Sequence, residues 1–168
     1  MLSAFLVSQI LIGIAFLFDL ASFQFKRREV TLCFFFAAAS LISVHFFLLG
    51  ATTAGFVMAV SAFRFVVSIF STDKRLKYLF ILLIVGLGVW TYDGWEDVFS
   101  IAAGIFGTLS SFHPDPKRLR ELMAVGSVLI IVHNIMIFSP AAIALDIFFL
   151  GSNLVSYYRF YLRKSKDT

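Results

Sequence analysis

Charge is scarce in this chain. Asp, Glu, Lys and Arg make up 14% of 168 residues, against roughly a quarter in an ordinary soluble domain. That shortage excludes a water-soluble globule. A single cysteine, Cys33, excludes an internal disulfide, and its place in an apolar run suits a small hydrophobe. Proline is limited to three residues, all in the second half. The N-terminal stretch MLSAFLVSQILIGIAFLF has neither the positive leader nor the small-residue cleavage site of a signal peptide, and is expected to be a retained first helix. Paired carboxylates, an activated serine and a phosphate loop are also missing, and Cys33 has no basic partner near it in sequence. An enzyme is therefore not expected.

What the chain has in abundance is hydrocarbon. Sixty per cent of its residues are hydrophobic, 22 of them Phe, and the mean hydropathy is +0.94. Breaking the sequence at charge clusters and turn signals gives seven apolar runs, approximately 3–24, 31–49, 53–71, 77–92, 96–112, 119–138 and 140–160. Several have the roughly 17–25 residues that a helix needs to cross a bilayer. The expected fold class is an all-α membrane protein with seven transmembrane helices. The fourth run, YLFILLIVGLGVW, is the shortest and carries two glycines.

Charge placement sets the orientation. The formal net charge is +4, but thirteen of the fourteen Lys and Arg residues sit at the ends of apolar runs, and only Arg64 is well inside one. This is a topology signal and not a nucleic-acid footprint. KRRE, TDKRLK, DPKRLRE and RFYLRKSK follow runs one, three, five and seven, whereas GATTAG, TYDGWED and SP carry no Lys or Arg. The positive-inside rule then gives an outside N-terminus and a cytoplasmic C-terminus. Trp90, Tyr92 and Trp95 flank the acidic outer loop, which holds Asp93, Glu96 and Asp97, and fit an aromatic interface belt.

An internal repeat accounts for the odd number of spans. IGIAFLFDLASFQFKRR in run one matches AGIFGTLSSFHPDPKRLR in run five, with Gly13 opposite Gly104 and Lys26-Arg27 opposite Lys117-Arg118. VH recurs at 44–45 and 132–133, and SAFR at 61–64 is answered by SYYR at 156–159. A three-span unit repeated directly would be inverted in the bilayer, yet the charges orient both units alike. Run four therefore reads as an inversion-linker helix. The plan is 3+1+3 with parallel repeats: residues 1–71, a linker over 72–95, and 96–168 with a short basic tail. Such repeats are one of the known transporter layouts.

HFFLLG, the AGFVMAVSAFR that follows it, and the later VHN and YYRF resemble a bacterial inner-membrane protein family of the YgjV type. The resemblance covers most of the chain and implies a multi-pass protein of the bacterial inner (cytoplasmic) membrane, without supplying a site. The 3+1+3 plan separately resembles the SWEET, PQ-loop and nicotinamide-riboside-transporter group, a fold-level analogy. Runs one and five lack that group's proline-glutamine pair, which sets the chain apart from a SWEET-like sugar mechanism.

Ionisable residues inside spans are costly and usually face an interior or a cavity. The candidates are Asp19, His45, Arg64, His133 and Asp146, with Gln9, Asn134 and Asn153 as neutral companions. His45, His133 and Asp146 fall about one to two turns from the outer helix ends. Asn134 and Asn153 are assigned with them to the outer or central side, and Asp19 and Arg64 to an inner level where they could pair. An imidazole takes up a proton near neutral pH, and Asp146 at that level would stabilise the imidazolium.

This pattern suits a transporter of a small polar solute, possible proton coupling included, with its site between the repeats. Two alternatives stay open. One is a membrane redox protein with haem held non-covalently by His45 and His133, since no CxxCH is present. The other is a non-transporting scaffold or sensor whose buried polar groups only set helix register. No resident cofactor or metal is expected, and His, His and Asp form an incomplete zinc set. The expected partners are the lipid bilayer and a small polar solute, with no nucleic acid. His113 reads as a loop residue, Arg159 as a snorkelling side chain, and Gly13, Gly104 and Gly107 as sites of close helix approach.

Overall fold

The computed structural model describes residues 2–48, 52–92, 94–136 and 140–163. Within them the chain forms seven α-helices and no strand: α1 Leu2–Ser22, α2 Arg28–Leu48, α3 Thr52–Phe70, α4 Lys74–Trp90, α5 Asp97–Ser111, α6 Pro116–Met136 and α7 Pro140–Tyr157. A π-helical turn, Tyr158–Leu162, follows α7 and is closed by the Arg163 N–H on the Tyr158 carbonyl at 2.9 Å. All seven expected runs are helical. Asp93 lies outside the described residues, as do the side chains of Gln9 and Asn134.

Helices α2, α4 and α6 begin three residues earlier than the apolar runs suggest, at 28, 74 and 116. The reason is that hydrophobicity marks where hydrocarbon begins, whereas hydrogen bonding starts at the cap. Asp73 Oδ1 accepts from the Arg75 N–H at 2.8 Å and Asp115 Oδ1 from the Lys117 N–H at 3.0 Å. Each cap satisfies an orphan donor of a first turn. Pro116 adds a preset φ at the first helical position, where the missing N–H costs nothing. The basic clusters are thus first turns as much as loops.

The chain divides into two compact units, Met1–Ser71 and Thr72–Thr168. In the first, α2 packs against both α1 and α3. Phe35 on α2 touches Phe23 beyond α1 at 5.6 Å between ring centroids and Phe65 on α3 at 5.4 Å, which makes an aromatic ladder across all three helices. In the second unit α5 packs against α4 and α6, and α6 against α7. Here the Phe112 ring meets Phe80 of α4 at 5.7 Å.

Glycine brings α4 and α5 together reciprocally. A Cβ at Gly88 would come 2.5 Å from Ile101 Cγ1, and one at Gly104 would come 2.9 Å from Ile84 Cγ2. Each helix offers a flat spot to the other's isoleucine. Gly126 of α6 similarly lies against the Ala103 carbonyl and Gly107 of α5. Gly13 departs from the expectation of close approach: nothing lies within 4 Å of its would-be Cβ among the described residues. Sequence alignment places Gly13 opposite Gly104, but says nothing about which helix face a neighbour covers.

Burial departs from that of a water-soluble bundle. Phe70 is 84% exposed and Trp90 80%, with Leu17, Phe63, Leu82 and Val155 also well exposed. Ser8, Ser22, Thr31, Ser43, Ser68, Thr108, Ser110 and Ser111 are buried. An apolar outside, with small polar residues buried between the helices beside the Phe and Ala of the core, suits hydrocarbon as solvent, where small polar residues join helices closely. Cys33 is exposed on α2. Among the described residues, Arg28–His45 is a stretch both long and apolar enough to cross a bilayer, and Leu6–Ser22, Met58–Phe70 and Asp97–Ser111 are shorter apolar helices.

Candidate functional site

Each unit carries one histidine near the end of a long helix, α2 or α6, and each is held in the same way. His45, buried on α2, has Nδ1 2.9 Å from the Ser8 carbonyl of α1. His133, half-buried on α6, has Nδ1 3.0 Å from the Glu96 carbonyl at the start of α5. Both pairs span 37 positions of sequence. A carbonyl only accepts, so Nδ1 carries the proton in both rings. That tautomer leaves Nε2 as the nitrogen with the lone pair, the one that can accept a proton or a hydrogen bond.

The opposite, basic end of each unit is also tied by a side chain on a backbone carbonyl. Arg28 Nη2 donates to the Ser68 carbonyl of α3 at 2.6 Å. Asn153 Nδ2 of α7 donates to the Arg120 carbonyl of α6 at 2.8 Å. Arg28 and Arg120 are both buried, Arg120 to 1% exposure. Two of the cations read as a topology signal at the ends of apolar runs thus turn inward. Arg28-Glu29 and Arg120-Glu121 are the recurring sequence signal that could have marked them. Beyond α7, burial pushes the Tyr161 phenol pKa up, against the pull of the nearby Arg120 charge.

Shorter parallels fill the corners. Ser22 Oγ donates to the Asp19 carbonyl and Ser111 Oγ to the Thr108 carbonyl, each three residues back, and each serine precedes a buried Phe, Phe23 or Phe112. Thr31 Oγ1 donates to the Ser22 carbonyl and Ser110 Oγ to the Leu119 carbonyl, closing the α1–α2 turn in the first unit and the α5–α6 turn in the second. The Arg64 guanidinium sits 4.6 Å from the Phe65 ring centroid, and that of Arg159 sits 4.5 Å from Phe160.

The remaining sequence-derived candidates separate by level. Asp146 is half-buried six residues into α7, at the end of that helix nearest the His133 end of α6. Asn153 does not share that level. It lies 13 residues past Pro140, about 20 Å along the helix, at the basic end beside Arg120, where its bond needs it. It is 1% exposed and belongs to the tie at the basic end of the second unit. Asp19, half-buried, and Arg64, 6% exposed, lie toward the basic end of the first unit. His113 lies in the loop between α5 and α6 as expected, and Arg159 is exposed. Among the described residues no three His, Cys, Asp or Glu side chains converge as a metal site.

Helices throughout and a largely apolar exterior are consistent with a helical membrane protein. The family is plain. The chain belongs to the bacterial inner membrane protein family Imp-YgjV, whose model matches residues 6–164. The resemblance carried by HFFLLG, AGFVMAVSAFR, VHN and YYRF is thereby established for nearly the whole length. No curated protein and no solved structure matches the chain.

Proposed function

We propose that this protein carries a small polar solute across the bacterial inner membrane, coupled to protons, as a carrier and not an enzyme. It crosses seven times, as two parallel three-helix repeats joined by α4, with its N-terminus outside. The single observation behind this reading is the matched pair of histidines. Two imidazoles, 37 residues from their backbone anchors, are held through Nδ1 with Nε2 as the basic nitrogen. A rigidly oriented imidazole inside apolar helices can take and release a proton without moving its ring. A histidine present only for helix register could use either nitrogen, and the same choice in both units favours a shared task. The serine, arginine and tied-carbonyl parallels support the repeat on which carriers of this plan depend.

The test exploits side-chain geometry. Asparagine at either position can keep the donor to the Ser8 or Glu96 carbonyl and removes the titratable nitrogen. In proteoliposomes carrying a pH gradient and offered fractionated small polar metabolites, the wild type should accumulate one class in a gradient-dependent way. His45→Asn and His133→Asn should fold normally and lose the gradient dependence. Gradient-driven accumulation that persists in both variants defeats the coupling.

A further inference from the structure

The second unit contains a cavity of about 700 Å³, within the usual range of small-molecule sites. Part of its lining is cationic, with Lys74, Lys77 and Arg118 and the imidazole of His113, and part is apolar, with Leu109, Phe112, Leu122 and Val125. Glu121 is the one carboxylate lining it, so the fixed charges of the lining sum to about +2 by simple count. Both Glu121 oxygens are already engaged. Oε2 accepts from Arg118 Nη1 at 2.7 Å and Oε1 from the Tyr157 hydroxyl at 2.8 Å. Tyr157 of α7 thus braces Glu121, and Glu121 holds the Arg118 guanidinium.

His113 is braced too. Its Nδ1 accepts from the Asp115 N–H at 3.1 Å, so the neutral ring carries its proton on Nε2 and adds a donor. Lys and Arg have donors only. The lining therefore offers mainly donors and positive charge, and its one carboxylate is already paired with Arg118 and Tyr157. The lining extends along α6 from Arg118 to Val125, seven residues or about 10 Å. A free inorganic anion would match only the cationic part of the lining and leave the apolar part unused. An amphiphile with an anionic head and a hydrocarbon tail matches both parts, and basic pockets between membrane helices take phospholipid headgroups of this kind.

We propose that this cavity is a binding site for an anionic glycerophospholipid, its phosphate among Lys74, Lys77, Arg118 and His113 and its acyl chain along Leu109, Leu122 and Val125. The site is independent of the histidine pair. The experiment is native mass spectrometry of the full chain in detergent, titrated with phosphatidylglycerol or phosphatidylcholine. Wild type should prefer phosphatidylglycerol by about tenfold. K77Q and R118Q should each weaken it about fivefold, the effect of one charge at a headgroup, while K77R retains it. Leu109→Trp, which fills the cavity and keeps every charge, should also lose the lipid.

Arg75 is the control, an exposed cation on the same turn of α4 that does not line the cavity. R75Q should leave binding unchanged. Equal losses in R75Q and K77Q would reduce the effect to diffuse surface charge and overturn the proposal. So would retention in Leu109→Trp, equal affinity for phosphatidylcholine, or full displacement by millimolar inorganic phosphate, which would show that the site reads the anion alone.

Discussion

His45 Nδ1 meets the Ser8 carbonyl at 2.9 Å, and the same bond recurs at 3.0 Å between His133 and Glu96. In each case a side chain near the end of one helix, α2 or α6, locks onto backbone near the start of the helix before it, α1 or α5. Helices that present mostly apolar surface have few directional contacts to set register. An imidazole bonded to a carbonyl supplies one and also orients the ring.

The bond has a measurable mechanical consequence. His45→Leu removes it and should lower stability in detergent by about 0.6–1.7 kcal/mol, the range of interhelical hydrogen bonds in membranes. His45→Asn should recover most of that loss, because the amide restores a donor toward Ser8. Chemical denaturation followed by circular dichroism distinguishes the two. Similar stability for Leu and Asn variants would mean the bond contributes nothing to folding.

Arg28 is expected to be the costliest basic residue to truncate. Its guanidinium is buried and bonded to the Ser68 carbonyl, and hydrogen bonds from charged groups are worth about 1.5–3 kcal/mol. Arg28→Ala should lose roughly that much. The exposed neighbour Arg27→Ala should stay within about 0.5 kcal/mol of wild type. Equal effects at 27 and 28 would contradict the tie between α2 and α3.

The glycines separate in the same way. Replacing Gly by Ala in an open helix position gains about 1 kcal/mol of helix propensity, and Gly13→Ala should show that gain. Gly88→Ala should instead destabilise, because its methyl enters the Ile101 side chain and overpacking costs about 1–3 kcal/mol. Thermal unfolding of the two variants side by side tests this, with opposite signs expected.

Orientation is testable through cysteine chemistry, since Cys33 is the sole native thiol. In a Cys33→Ser background, an impermeant maleimide should label Tyr92→Cys on intact cells. Gln24→Cys, in the basic turn after α1, should react only after the membrane is opened. The reverse pattern would invert the topology read from the charges.

Much of this fold was legible in the sequence because hydrocarbon imposes long apolar runs and segregated charge. Seven runs became seven helices. The helix starts were misjudged by three residues because Asp73 and Asp115 cap through hydrogen bonds that hydropathy does not register. The partners of His45 and His133 were hidden for another reason: a backbone carbonyl has no residue identity to read. Arg28 and Arg120 look like any other loop cations, and only their shared Arg-Glu pairing hinted that they turn inward. Asn153 was grouped with the histidines by polarity, although its place on α7 puts it about 20 Å along the helix from Pro140. The basic cavity went unseen because it joins Lys74 and Lys77 of α4 to the His113 loop and the start of α6, which lie far along the chain.

The decisive measurement is internal pH in dye-loaded proteoliposomes of the full chain, challenged in turn with pools of small polar metabolites. At least one pool should drive a proton movement in wild type that disappears in the His45→Asn and His133→Asn variants. Proton movement in none of the pools, or an undiminished response in both variants, would contradict a proton-coupled carrier built on the paired histidines.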